Sequence, residues 1–204
     1  MTKSRVYMVR DVPVSVDPEV VAAAVGRPRD REHTQIENLT LRATERYRVR
    51  LAYRASSLAA GDGWVKIGED LVLYSTSLGH FFRGCSAALL MASTLGTEVS
   101  ERIRELGDSG RMDEAYMLDV IASEMADGGL DVARRMATRQ VLSRGERVSR
   151  RRFSPGYGDV DLSVQLPLFE RLQLEELGMS ILPSFMLFPE KSVVALGGIG
   201  RMTR

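Results

Sequence analysis

Cysteine is nearly absent from this chain: Cys85 is the one thiol in 204 residues, so an internal disulfide is excluded and a reducing compartment fits. It stands just before the apolar residues 87–91 and reads as a packed core thiol. Histidine is almost as scarce. His33 and His80 are far apart in sequence and neither sits in a cluster of His and Cys, so no metal site is expected, and no nucleophile and base pair stands out. Long apolar runs are missing too. Nothing approaches the roughly 20 residues of a membrane span, and Met1, Thr2, Lys3, Ser4 and Arg5 lead into strand-like residues without the apolar segment of a signal peptide. A soluble, cytoplasmic protein is expected. Charge of one sign is lacking as well: 28 basic against 27 acidic residues leave +1, with no overall pull toward nucleic acid or an anionic membrane.

What remains is enough for a self-sufficient core. A chain of this length buries roughly 70% of the surface its unfolded form exposes, and no repeat, low-complexity tract or linker divides it, so residues 1–204 are expected to form one domain. Residues 6–14 read as a first strand. Asp17 then Pro18 signals a helix start, running to Ala24, and after the polar turn of residues 26–29 the spacing of Ile36, Leu39, Ala43 and Tyr47 predicts a helix over 31–47. Alternation at Val49, Leu51 and Tyr53, the Asp62-Gly63 turn before Val65 and Ile67, and residues 71–73 predict short antiparallel strands.

A short helix over 78–82 precedes residues 85–92, an unbroken apolar run expected at the centre of the sheet with both faces covered. Thr94, Leu95, Gly96 and Thr97 turn into a helix over 98–106, and a longer helix spans about 112–142, where Gly128-Gly129 marks a kink or a close approach. Residues 148–153 read as a polar strand and 164–174 as a helix. Residues 185–188 with 193–199 read as a closing hairpin-like pair. Strand clusters separated by helices predict an α+β fold, a mainly antiparallel twisted sheet with flanking helices.

Several local features have ordinary structural roles. Gly197, Gly198, Ile199 and Gly200 are superficially similar to a dinucleotide loop, yet only four residues follow, too few for the helix that would hold a pyrophosphate. The Thr94 to Thr97 turn reads chiefly as a capping device. Arg144, Arg147, Arg150, Arg151 and Arg152 form a basic cluster without interleaved stacking aromatics beyond Phe153, so it reads as a solvated strand rather than a nucleic-acid face. Glu124, Asp127 and Asp131 recur at helical spacing and offer carboxylates to an ammonium group.

The most informative stretch is Arg152, Phe153, Ser154, Pro155, Gly156 and Tyr157. A proline followed by glycine makes a stiff turn that a ligand can approach, an arginine fork binds a carboxylate with two parallel bonds, and a tyrosine adds a flat face with a polar tip. A small zwitterion suits that set.

Three segments in this order resemble the activation domain of vitamin B12-dependent methionine synthase, over most of the chain. They are Arg83-Gly84-Cys85 through Thr97-Glu98-Val99, the Arg-x-x-Pro-Gly-Tyr signature at Arg152 to Tyr157, and Ser184 to Val193, similar to the family's Ser-x-x-Met-x-Pro-x-x-Ser-Val segment. The resemblance implies S-adenosylmethionine as ligand, with Arg152 on its methionyl carboxylate, Pro155 in the turn of the site, Gly156 allowing close approach, Tyr157 near the sulfonium and Ser184 beside the cleft. It implies an acid for the amino group, for which Asp127 and Glu146 are the candidates. It implies cobalamin on a corrinoid-binding protein or methyltransferase as partner, and a low-potential electron donor such as a flavodoxin or ferredoxin, with no nucleic acid or membrane. Reductive methylation rescues oxidised cobalt in that family, where the domain positions the methyl group and excludes water.

The chain has neither the Asp-x-His-x-x-Gly signature of a B12-binding module nor zinc-ligand cysteines, so it is not by itself a complete methionine synthase. It departs from the family at Pro183, where glutamate is usual. That departure motivates a second reading, a non-catalytic binding or scaffold protein of the same fold that docks a corrinoid methyltransferase.

Overall fold

A computed structural model describes residues 5–26 and 33–201. The turn expected at residues 26–29 therefore falls largely outside the described residues. In chain order the elements are β1 (Tyr7–Val12), α1 (Pro18–Ala24), α2 (His33–Arg46), β2 (Val49–Gly61), β3 (Trp64–Ile67), β4 (Leu71–Tyr74), α3 (Thr76–Phe81) and β5 (Ala87–Thr94). Then follow α4 (Glu98–Asp108), α5 (Met112–Val141), β6 (Glu146–Phe153), α6 (Gln165–Leu172), β7 (Ser180–Ile181), β8 (Leu187–Phe188) and β9 (Ser192–Arg201).

The sheet runs in the order β4-β3-β2-β5-β9-β6, with β1 also on β2, and every pairing is antiparallel. The expected α+β architecture is the one observed. β5 lies in the middle because its sequence has no polar face to give to water: Leu89 and Met91 point to one side, Ala88, Leu90 and Ala92 to the other, and all are buried. Fully burying a side chain of this size contributes about 1.5–3 kcal/mol, so a strand apolar on both faces is most stable where both are covered.

On the first face, Leu51, Leu89, Met91 and Ala195 pack under Ile121, Met125 and Leu130 of α5 and Ile36 of α2. On the second, Ala52, Ala88, Leu90 and Leu196 pack against Leu78 of α3 and Leu168 and Leu172 of α6. Asp17 caps α1 through its carboxylate, which accepts from the Glu19 amide at 3.0 Å, with Pro18 at the first helical position as expected.

α5 runs unbroken through Gly128-Gly129. Of the two expectations for that pair, close approach is realised: a Cβ on Gly128 would fall 2.5 Å from Val14 Cγ1, and one on Gly129 2.1 Å from Ser93 Oγ.

The closing hairpin of residues 185–188 with 193–199 is not formed. β8 pairs with β7 instead, and β9 inserts between β5 and β6. Alternation marks extended chain but carries no partner, and the partners of β9 lie about 50 and about 100 residues away. Bounds also move: β1 ends at Val12, β5 starts at Ala87, α4 passes through Gly107 to Asp108, and the predicted helix over 164–174 is α6 flanked by short 3-10 turns. Among the described residues no helix is long and apolar enough to cross a membrane.

Candidate ligand site

Arg152 sits near the end of β6, opposite Gly197 of β9, just past an irregularity in register between Val148 and Arg152. Such a bulge re-aims the side chains that follow it. The guanidinium turns to α5: Nη2 lies 2.6 Å from Asp127 Oδ2, Nη1 donates to the Asp127 carbonyl oxygen at 3.1 Å, and Nη1 stands 3.6 Å from Asp131 Oδ1. Arg134, one turn on, donates through Nε to Asp131 Oδ1 at 3.3 Å. Of the acids anticipated on α5, Asp127 and Asp131 are thus brought to the arginine, whereas Glu124 makes no ion pair among the described residues.

The acids belong to a longer stripe. Asp119, Ser123, Asp127 and Asp131 recur every four residues, which puts them on one side of a helix. Lys191, immediately before β9, places Nζ 2.7 Å from Asp119 Oδ1 and donates to Ser123 Oγ at 3.0 Å. Sequence reasoning missed this pair, since nothing local links residues 72 positions apart. A lysine next to the family-like Ser192-Val193 was the available signal.

The turn after Arg152 is held tightly. Pro155 is buried, Gly156 has φ +87, its amide donates to the Val160 carbonyl at 2.9 Å, and Val160 N–H donates back to the Tyr157 carbonyl at 3.1 Å. Tyr157 is 70% exposed, so its ring is free to face a ligand or partner. Asp159 anchors the turn to α3, a contact the sequence reading did not foresee. Its carboxylate accepts from Ser75 Oγ at 2.5 Å, from the Thr76 amide at 2.7 Å and from the Ser77 amide at 3.3 Å. Hydrogen bonds from Ser75 and Ser77, with those backbone amides, hold its pKa far below the usual 3.8.

Because the folded value is the lower one, the stabilisation from Asp159 is present above pH 3.8 and is lost as the pH falls below it. Asp159→Asn is therefore expected to be less stable than the parent at neutral pH, with the gap narrowing progressively below pH 3.8. Urea unfolding of both proteins across that range checks it, and a constant gap would show that the carboxylate charge is not what holds the turn.

The remaining sequence candidates lie apart from Arg152. Glu146 is at the opposite end of β6, about 20 Å along the strand, where it accepts from Ser86 Oγ at 2.6 Å and pairs with Arg144 at 3.2 Å. The structure does not bring it to the arginine. Ser184 is exposed in the tight turn joining β7 to β8, closed by Leu182 N–H donating to the Met186 carbonyl at 2.8 Å. That turn is held by Gln165 Nε2, which donates to the Phe185 carbonyl at 3.0 Å, so the segment after the Tyr157 turn reaches the Ser184 turn. Exposed Leu182, Phe185, Met186 and Phe188 give the hairpin an apolar surface.

At the Thr94 to Thr97 turn, Thr97 opens α4 without a side-chain cap, and it is Thr94 Oγ1 that accepts from the Gly96 amide, at 3.1 Å. Among the described residues no group of three or more His, Cys, Asp or Glu is placed to hold a metal.

No protein-family model matches the sequence, and no curated protein does. Among solved structures the chain is similar to the MetH reactivation domain bound to AdoHcy, with a TM-score of 0.69 over 100% of this chain and 81% of that one. The fold is that of the methionine synthase reactivation domain. At 12% identity the likeness resides in the backbone architecture. The Arg152 group and the Tyr157 turn thus stand on a scaffold whose solved counterpart, the reactivation domain, carries S-adenosylhomocysteine.

Proposed function

We propose that this chain is an S-adenosylmethionine-binding activation module that docks on a separate corrinoid protein and supports reductive methylation of its cobalt. The observation that carries this reading is the ion pair of Arg152 and Asp127 on a reactivation-domain fold. An α-amino carboxylate needs a fork for its carboxylate and an acid for its ammonium, side by side. Here Arg152 is mostly covered, at 21% exposure, while Asp127 at 51% stays open to solvent, so an incoming ammonium can reach the acid and a carboxylate can displace it from the guanidinium.

Exposed Tyr157 and the apolar hairpin turn suit a broad, largely apolar face such as a macrocycle presented by a partner. The bound groups bring the chemistry: the sulfonium methyl is the transferable carbon, and the reduced corrinoid cobalt of the partner is its acceptor. The residues of this chain bind, orient and exclude water. Calorimetry with S-adenosylmethionine is expected to give one site per chain, and transfer of a labelled methyl group to a corrinoid protein is expected with reduced flavodoxin or ferredoxin present.

Pro183, exposed on the hairpin turn where the family usually has an acid, favours one alternative, a docking protein of the same fold without methyl-donor chemistry. Binding to the corrinoid protein with no label transfer at saturating S-adenosylmethionine would select it. No binding of either would reject both.

A further inference from the structure

On the second face of the sheet, away from α5, Arg83, Arg147 and Arg201 line a cleft of about 360 Å³ with Gly84, Gly198 and Gly200. Neighbouring glycines of β9 face opposite sides of the sheet. A Cβ on Gly197, opposite Arg152, would meet Leu89, Met91 and Val148 under α5, whereas one on Gly198 would fall 2.4 Å from Cys85 Sγ, and one on Gly200 3.1 Å from the Gly84 carbonyl oxygen. Glycine at 198 and 200 lets the turn of residues 83–85 lie against β9, and that approach brings Arg83, from the end of α3, to Arg147 of β6 and Arg201 of β9.

The charge there is unbalanced. Among the described residues no carboxylate lines the cleft, and the nearest acid along β6, Glu146, is engaged by Arg144 and Ser86. None of the three arginines makes an ion pair or side-chain hydrogen bond with the described residues, unlike Arg46, Arg102, Arg111, Arg152 and Arg171. Burial pushes the Cys85 thiol up, so it stays protonated and adds no negative charge at neutral pH. The Gly84 amide, at φ +79, has no acceptor among the described residues. In a chain whose net charge is +1, three unpaired guanidinium groups around one glycine-floored cleft form a local excess of cation and of hydrogen-bond donors.

We infer that this cleft is a second binding site, for a phosphate-bearing small molecule of the pyrophosphate or nucleoside diphosphate class. Guanidinium forks match the tetrahedral oxygens of phosphate bidentately, and a group with two or more charges engages several arginines together. A volume of about 360 Å³ admits a diphosphate with part of a nucleoside. This site does not depend on the S-adenosylmethionine reading, since it shares no lining residue with the Arg152 group.

The test is calorimetry of the full chain with inorganic pyrophosphate and, separately, adenosine diphosphate. One site per chain is expected, with Kd about 1 mM or tighter. Arg83→Ala and Arg147→Ala should each weaken it about tenfold, while Arg139→Ala, which removes one charge from the end of α5, should change it less than about twofold. Tighter binding of the nucleotide than of pyrophosphate would identify a nucleotide ligand; equal binding would identify the phosphate alone. Failure to bind either probe, or an equal loss in Arg139→Ala, would overturn the site. So would binding confined to a single-stranded oligonucleotide with a steep salt dependence, which would mark an extended nucleic-acid face instead.

Discussion

Replacing Arg152 by alanine is expected to weaken S-adenosylmethionine binding about tenfold to about a hundredfold, because a charge-assisted hydrogen bond contributes about 1.5–3 kcal/mol net. Stability should hardly change. The partners Asp127 and Asp131 are half exposed, and removing a partly solvated ion pair shifts stability by about 0–1 kcal/mol. Arg152→Lys keeps the charge but loses the fork, so an intermediate affinity is expected. The decisive comparison is with 5′-methylthioadenosine, which has the nucleoside and sulfur but no amino-acid head. If Arg152 reads the carboxylate, the variant binds that compound as well as the parent does. Asp127→Asn completes the set: it should lower affinity for S-adenosylmethionine and leave 5′-methylthioadenosine unaffected. Calorimetry supplies all of these values. An unchanged affinity for S-adenosylmethionine in Arg152→Ala, or an equal loss for both compounds, would sink the assignment.

The legibility of this site in the sequence followed distance along the chain. Arg152 and Tyr157 stand five residues apart across a proline-glycine turn, so their relation was readable from backbone stereochemistry alone. Asp127 was readable as one of several acids on a helix face, and only the packing of α5 on β6 chose it over Glu124. Glu146, six positions before Arg152, was misleading for a physical reason. Six residues of strand span about 20 Å, farther than either side chain reaches, so closeness in sequence within a strand works against closeness in space. The pair of Lys191 and Asp119 and the anchoring of Asp159 by Ser75 each join segments more than 70 residues apart, which no periodicity encodes. The same contrast governed the fold. β5 was placed by an apolar run that only a central strand can accommodate, whereas the strand pairings of β8 and β9 depended on partners that alternation does not name.

Gly129→Ala is expected to destabilise the protein, although alanine favours a helix interior by about 1 kcal/mol over glycine. The reason is the approach of α5 to the sheet. A Cβ at position 129 would lie 2.1 Å from Ser93 Oγ, 2.9 Å from Ser93 Cβ and 2.7 Å from Val49 Cγ1. The last two belong to side chains fixed on β5 and β2, with no flexible end to swing aside. Overpacking of that kind costs about 1–3 kcal/mol, and three contacts under 3.0 Å put it at the upper end, so after the helix gain the net loss should be about 2 kcal/mol, read as a lower urea midpoint with unchanged slope. Ser93 makes a second comparison possible. Its hydroxyl is buried without a hydrogen-bond partner among the described residues, so Ser93→Ala should be neutral or stabilising. Combining the two substitutions removes the 2.1 Å overlap and leaves the contacts at 2.9 and 2.7 Å, so Gly129→Ala should cost less in the Ser93→Ala background without becoming harmless. The consequence reaches the proposed ligand site, since Asp127 and Asp131 flank Gly129 and move with α5. Affinity for S-adenosylmethionine should fall in Gly129→Ala and recover in part in the double variant, in step with stability. A Gly129→Ala protein as stable as the parent would mean that α5 has room to lift from the sheet. The position of Asp127 relative to Arg152 would then be set by their ion pair rather than by helix packing.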